Sequence, residues 1–501
     1  MLSRRAVIAG GAAALAAPSI LARAQSASAA PTILRLERRN IEVNGKPASV
    51  YGIQQPNGTF GLTTEVGKPF RVRVENGIDE PSLIHWHGLT PPWRQDGVPG
   101  ISGPPIPAGG SADYDFPLRF GGTFWMHSHQ GLQEQGLMAA PLIIHDERDR
   151  SDQQEVVVML ADFSFTPAEQ IFENLKKSGS MAGMAAAPSG GMASMSKMSD
   201  GKMGSMAKPA DAMASGSSMK MGGAAMSKGD AAPDLNDVKY DAFLANDRTL
   251  ADPEIFKVEP GGRVLLRIIN SSAMSAHHIG LGALEGELIA VDGFAVAPIR
   301  GRKFPAAVAQ RLDIRLELPP GPGAYPILAQ LEGERSQTGI ILVAGGAPVT
   351  RIPDAAETPS PALTLDLERT LRAEKPLAAR KADRVHTLNL TGEMSGYVWS
   401  INGVPWNKDV PPLPIAEGER VELVFVNQTP MPHPMHLHGH EFQVVEIDGE
   451  RFPGAVRDTI LVPPKRRVVV AFDANNPGWW AVHCHLLYHL DAGMFTTLKY
   501  V

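Results

Sequence analysis

The stretch richest in chemistry is His483-Cys484-His485-Leu486-Leu487-Tyr488-His489-Leu490-Asp491-Ala492-Gly493-Met494. It holds the chain's only cysteine, with a histidine on each side, a third histidine five residues later and a methionine ten residues later. A soft thiolate, imidazoles and a thioether this close together suit copper. On a strand, neighbouring side chains point to opposite faces. His483 and His485 would then serve one site and Cys484 another, a few covalent bonds apart. That layout passes electrons between two metal sites.

Three more clusters match it: His85-Trp86-His87-Gly88, His127-Ser128-His129 and His433-Pro434-Met435-His436-Leu437-His438-Gly439. Together the four clusters hold ten of the fifteen histidines. The four His-x-His pairs supply eight imidazoles, too many for one copper ion and suitable for three. His433, Cys484, His489 and Met494 remain. They form a trigonal His₂Cys set with a weak axial thioether, the blue-copper electron-transfer pattern.

An internal repeat positions these residues. Its three copies open with Gly67 to Asn76, Gly261 to Asn270 and Gly418 to Asn427, the Asn nine residues after the Gly each time, and read as a strand. In the first and third copies His-x-His-Gly follows. In the second its place is taken, two residues earlier, by His277-His278-Ile279-Gly280. Closing elements follow at Gly122 to His129, Gly323 to Gln330 and Gly478 to His485, with Leu328 and Gln330 where the other copies carry histidines. The position of Cys484 is Ser128 in the first copy and Ala329 in the second. The expected fold is all-β, with three Greek-key sandwich or barrel domains at about 31–150, 151–350 and 355–501. If the first and third domains pack by the symmetry of the repeat, the eight imidazoles converge between them.

The four motifs resemble those of the three-domain multicopper oxidases over nearly the whole chain after its leader. The resemblance implies cupredoxin-like domains and four copper ions. His433, Cys484, His489 and Met494 match the type 1 ligands. His85 and His436 match the type 2 ligands. His87, His127, His129, His438, His483 and His485 match the type 3 ligands. It further implies that donors reduce a type 1 copper near the surface, that electrons run through Cys484 to His483 and His485, and that dioxygen leaves as two waters. An axial methionine suggests a moderate potential. Asp96, in Arg94-Gln95-Asp96-Gly97, matches an acidic position the family uses for proton delivery; the plain alternative is a turn aspartate. Many bacterial relatives carry an acid directly after the last type 1 histidine, but here Leu490 stands there with Asp491 next, which leaves a second proton relay unassigned.

Composition narrows the setting. Glycine (50) and proline (42) are plentiful and aromatics make up 6%, favouring short strands and turns. A net charge of -6 argues against nucleic acid as a partner. Residues 1–24 read as a twin-arginine leader, with Ser3-Arg4-Arg5 before an apolar run and Ala22-Arg23-Ala24 as the cleavage site. The expected destination is the periplasm, reached folded through the twin-arginine machinery, as a monomer. In that oxidising compartment a lone cysteine has no disulfide partner, and a metal would occupy it.

Residues 181–230 break the pattern. They lack Val, Ile, Leu and aromatics, so they cannot bury a core and read as disordered or locally helical. They hold eleven of the 20 methionines: Met181, Met184, Met192, Met195, Met198, Met203, Met206, Met213, Met219, Met221 and Met226. Thioethers bind Cu(I), and similar segments occur in copper-resistance and cuprous oxidases; a flexible linker is the alternative. The expected donors are therefore Cu(I), phenols or both, with dioxygen as acceptor. A general laccase and a copper-sequestering protein are the competing readings. His145, His277, His278, His386 and His440 read as surface or supporting residues rather than ligands. Asp409 and Glu441 read as surface residues near the type 1 motifs.

Overall fold

The computed structural model describes residues 30–185 and 235–501, excepting the side chains of 178–185. Six sheets pair off along the chain: two of four strands, then one of six with one of five, then one of seven with one of five. The fold is all-β, with cupredoxin-like domains.

The repeat in the sequence is a repeat in topology. Strand Thr32–Val43 runs parallel to Pro69–Asn76, Gln154–Phe163 to Arg263–Asn270, and Arg384–Glu393 to Arg420–Asn427. In the facing sheets, Ile84–His87 pairs antiparallel with Gly122–Ser128, His277–Gly280 with Gly323–Leu331, and His433–Leu437 with Trp479–Cys484. Buried aliphatic and aromatic side chains fill the space between each pair of sheets. Their removal from water is the main force holding the layers together.

Each end of the repeated strand has a physical reason. Gly67, Gly261 and Gly418 turn at φ of 94°, 73° and 84°, where a side chain would be strained. The closing asparagines are clamps. Asn76 Nδ2 donates to Glu80 O and Ile106 O at 2.9 Å each. Asn270 Nδ2 reaches Ser275 O (2.9 Å) and Ala306 O (3.1 Å). Asn427 Nδ2 reaches Met431 O (2.7 Å) and Val462 O (2.9 Å). Each amide fixes the loop that delivers the next strand, the one that carries or replaces the histidines.

Register corrects one alignment. Ser82, His277 and His433 pair with Ile106, Ala306 and Val462, the asparagine-bonded residues. Two positions on, Ile279 lies opposite Ala329 as Met435 lies opposite Cys484. His277 therefore stands where the third domain has His433, and Gly280 stands where the others have His85 and His436. The second copy has one more residue between its asparagine and this strand, so the aligned letters mislead.

Helix Ala168–Ala185 carries the backbone of Met181 and Met184. The other nine methionines of 181–230 lie outside the described residues, as does the leader. Among the described residues no helix is long and apolar enough to cross a membrane.

Candidate metal centre

Cys484, His433 and His489 form one cluster. Cys484 Sγ lies 3.6 Å from His433 Nδ1 and 3.9 Å from His489 Nδ1, and the two Nδ1 atoms are 3.2 Å apart. All three side chains are buried. Met494 is buried beside them, its backbone bonded to Cys484 N (3.0 Å) and His489 O (2.9 Å). The outward ring nitrogens are held. His433 Nε2 meets Thr429 Oγ1 at 2.7 Å, and His489 Nε2 donates to Asp237 Oδ2 at 2.9 Å. Trp399 stacks on His489 with ring centroids 4.0 Å apart.

The cluster lies close to the surface but is covered. Asp237 has a fully buried side chain and also accepts from Tyr397 Oη at 2.5 Å. It lies three residues past the undescribed stretch, so the chain returning from the methionine-rich segment covers His489. Phe172, on the helix leading into that segment, packs toward Tyr397 and Tyr488.

The eight remaining imidazoles gather between the first and third domains. Three sets of potential ligand atoms lie within 4.8 Å of one another: His85, His87 and His436; His87, His127 and His485; and His129, His438 and His483. His129 Nε2 and His438 Nε2 approach His483 Nε2 to 3.3 Å and 2.9 Å. His85 Nε2 and His436 Nε2 are 3.4 Å apart. His87 Nδ1, His127 Nε2 and His485 Nε2 are buried without any hydrogen-bond partner. Unpartnered lone pairs pointing at one another are expensive unless a cation sits among them.

Outer partners orient the rings. Asp96, which is buried, accepts from His85 Nδ1 through its backbone oxygen (2.9 Å) and from His438 Nδ1 through Oδ2 (2.9 Å). Glu134 Oε2 lies 2.7 Å from His127 Nδ1, and Oε1 lies 3.8 Å from His485 Nδ1. Desolvation holds His87, His127, His129, His433, His436, His438 and His485 well below the usual histidine range, and His483 at about 3. Burial pushes the Cys484 thiol and the Glu134 carboxyl up. Neutral imidazoles are ready metal ligands, whereas a buried thiol needs a cation to become a thiolate.

Residues 35–149, 154–346 and 380–501 each match the multicopper oxidase family. The chain belongs to the multicopper oxidase family. Multicopper oxidase MmcO of Mycobacterium tuberculosis is 29% identical over 96% of this chain and 89% of that protein. A copper resistance protein A homolog of Pseudomonas syringae pv. tomato is 27% identical over 86% of each. The fold is also that of Fet3p, described as a multicopper oxidase that functions in iron import, with a TM-score of 0.73 at 19% identity over 93% of this chain and 90% of that one. This multicopper oxidase is therefore a copper-dependent oxidoreductase that uses dioxygen and a reducing substrate.

Of the supporting histidines, His277, His278 and His440 are buried, and His440 Nδ1 donates to His438 O at 3.2 Å. Asp409 is exposed, and His145, His386 and Glu441 are partly so. Sequence reading missed Asp237, Glu134, Thr429 and Asp458, whose Oδ1 accepts from His87 Nε2 at 3.0 Å. Thr429 alone had a local signal, two residues past the clamp Asn427 and four before His433.

Proposed function

We propose that this multicopper oxidase oxidises Cu(I) to Cu(II) in the periplasm and so contributes to copper tolerance. Four Cu(I) ions give up one electron each, and dioxygen with four protons leaves as two waters. The carrying observation is Asp237. The carboxylate that meets the outward nitrogen of His489 belongs to the chain returning from the methionine-rich segment. A segment that gathers Cu(I) through thioethers is thereby joined, along the chain, to the carboxylate that holds His489. The copper-resistance relatives support the same reading. Closure of His489 beneath Asp237, Tyr397 and Trp399 favours a small ion over a bulky phenol.

In this reading His433, Cys484, His489 and Met494 hold a type 1 copper, His85 and His436 a type 2 copper, and His87, His127, His129, His438, His483 and His485 a type 3 pair. Bound there, copper supplies the one-electron redox chemistry and the reduction of dioxygen. The chain's own residues do the rest. Cys484 joins the two sites covalently through its neighbours His483 and His485. Thr429 and Asp237 hold both Nδ1 atoms toward the sulfur. Asp96 and Glu134 are the carboxylates placed to pass protons; Glu134 comes from the first domain, where the third offers only Leu490.

The test is oxygen consumption with Cu(I) and with a dimethoxyphenol, before and after deletion of 186–230. Deletion should slow Cu(I) turnover roughly tenfold or more, the range typical of lost supporting contacts, and leave phenol turnover equal or faster. Unchanged Cu(I) turnover in the deletion variant would replace this reading with a general laccase.

A further inference from the structure

The second domain contributes no histidine to the eight, yet its turn Ala309-Gln310-Arg311 is driven into the junction of all three domains. Arg311 is fully buried. Its Nη1 donates to Asp458 Oδ1 and to Ala309 O, both at 2.8 Å. Its Nη2 pairs with Asp458 Oδ2 and donates to Asp292 O (3.1 Å), and its Nε reaches Thr123 O (3.2 Å). Gln310 Nε2 donates to Thr459 O at 3.2 Å. Two consecutive residues of the second domain thus grip the dipeptide Asp458-Thr459 of the third.

That dipeptide holds two histidines from different domains. His87 Nε2 donates to Asp458 Oδ1 at 3.0 Å, and His436 Nδ1 donates to Asp458 O at 2.8 Å. His87 is the exception in its cluster. His127 and His485 leave Nε2 unpartnered, but His87 spends Nε2 on Asp458 and leaves Nδ1. A two-point guanidinium–carboxylate pair fixes both oxygens of Asp458, so the carboxylate cannot turn and the ring it holds cannot flip. The backbone agrees. A Cβ at Gly88 would lie 2.6 Å from Arg311 Nη2 and 2.7 Å from Asp458 Oδ2. The glycine that ends His-Trp-His-Gly is thus cut to fit this ion pair.

We propose that Arg311 is a positioning residue for the eight-histidine centre, acting through Asp458 to turn Nδ1 of His87 toward the metal. The proposal rests on the copper assignment above. Arg267 supplies the control. It is equally buried and pairs with Asp149, Glu155 and Asp313, but it touches none of the eight histidines.

Arg311→Gln, Asp458→Asn and Arg267→Gln are each loaded with copper, then compared with the parent for copper ions per chain, copper affinity, type 2 electron paramagnetic resonance and the visible band of Cys484. Arg311→Gln and Asp458→Asn should keep the visible band but lose copper from the eight-histidine centre, with affinity there down roughly 10- to 100-fold. Arg267→Gln should keep both. Full copper content and parental affinity in Arg311→Gln would overturn the proposal alone, as would an equal loss in Arg267→Gln. A parent that loads no copper at the eight histidines would overturn the copper assignment and this proposal with it. Should Arg311→Gln not fold, Arg311→Lys keeps the charge without the fork and is read by the same criteria.

Discussion

The first and third domains place four side chains at matching points of one frame. In the third they are His433, Cys484, His489 and Met494. In the first they are Ser82, Ser128, Gln133 and Met138, with the same spacing of five and ten residues after the central position. The backbone repeats too: Cys484 N donates to Met494 O (3.0 Å), and Ser128 N donates to Met138 O (2.9 Å). The difference is chemical. Ser82 Oγ and Ser128 Oγ both donate to Gln133 Oε1 at 2.7 Å, and Gln133 Nε2 donates to Pro81 O at 2.9 Å. The first-domain set satisfies its polar atoms with hydrogen bonds and leaves Met138 as its one soft donor. The third-domain set cannot, because two Nδ1 atoms and a sulfur face one another. One frame is thus a closed hydrogen-bond knot in one copy and, in the reading proposed above, a metal site in the other, while the flanking His-x-His pair is kept in both. In that reading electrons have one port, and the histidine centre is still served from both sides.

The largest expected effect comes from making the third domain resemble the first. Cys484→Ser should abolish the visible thiolate-to-copper band and reduce oxidase turnover to background, because a hydroxyl is no ligand for a type 1 ion. Persistence of either the band or turnover would mean that this cluster is not the port. The converse is a gain. Ser82→His, Ser128→Cys and Gln133→His, combined in one chain, should add one copper ion and a second thiolate band, with Met138 already in place. A folded triple variant with unchanged copper content would show that the two frames differ in more than these side chains.

What the sequence made legible follows from where the information lies. The His-x-His pairs, the single cysteine and the clamp asparagines are strand-local, so a period of two and constant spacing were enough to place them. Asp237, Asp458 and Arg311 act across distance: Asp237 meets His489 from 252 residues away and Arg311 meets Asp458 from 147. No local pattern marks such residues, and Glu134 sits in an ordinary run of glutamines. Part of the cover on the Cys484 cluster was hidden for the same reason, since Asp237 comes from the second domain.

The second domain offers the smallest and cleanest test, because its copy of the frame is neither metal site nor closed knot. His277 stands at the place of His433, with both ring nitrogens buried and neither in a well-formed hydrogen bond. Register puts Thr338 on the same face, opposite Ala329, and its Oγ1 is unpartnered too. Burial lowers the His277 pKa to about 3. The unfolded chain takes up this proton near the ordinary value of about 6.5, whereas the folded chain resists it until about 3. Protonation therefore favours unfolding, and stability is lost as pH falls through that window. His277→Leu removes both the unsatisfied nitrogens and this proton uptake. It should stabilise the fold by about 1 kcal/mol at neutral pH, with an advantage over the parent that widens as pH drops from about 6.5 toward 3. Urea midpoints at several pH values measure it. A lower midpoint for His277→Leu at neutral pH, or a gap that stays constant with pH, would show that His277 still has a bound partner in the folded chain, and that the second domain has kept part of the site the first has closed.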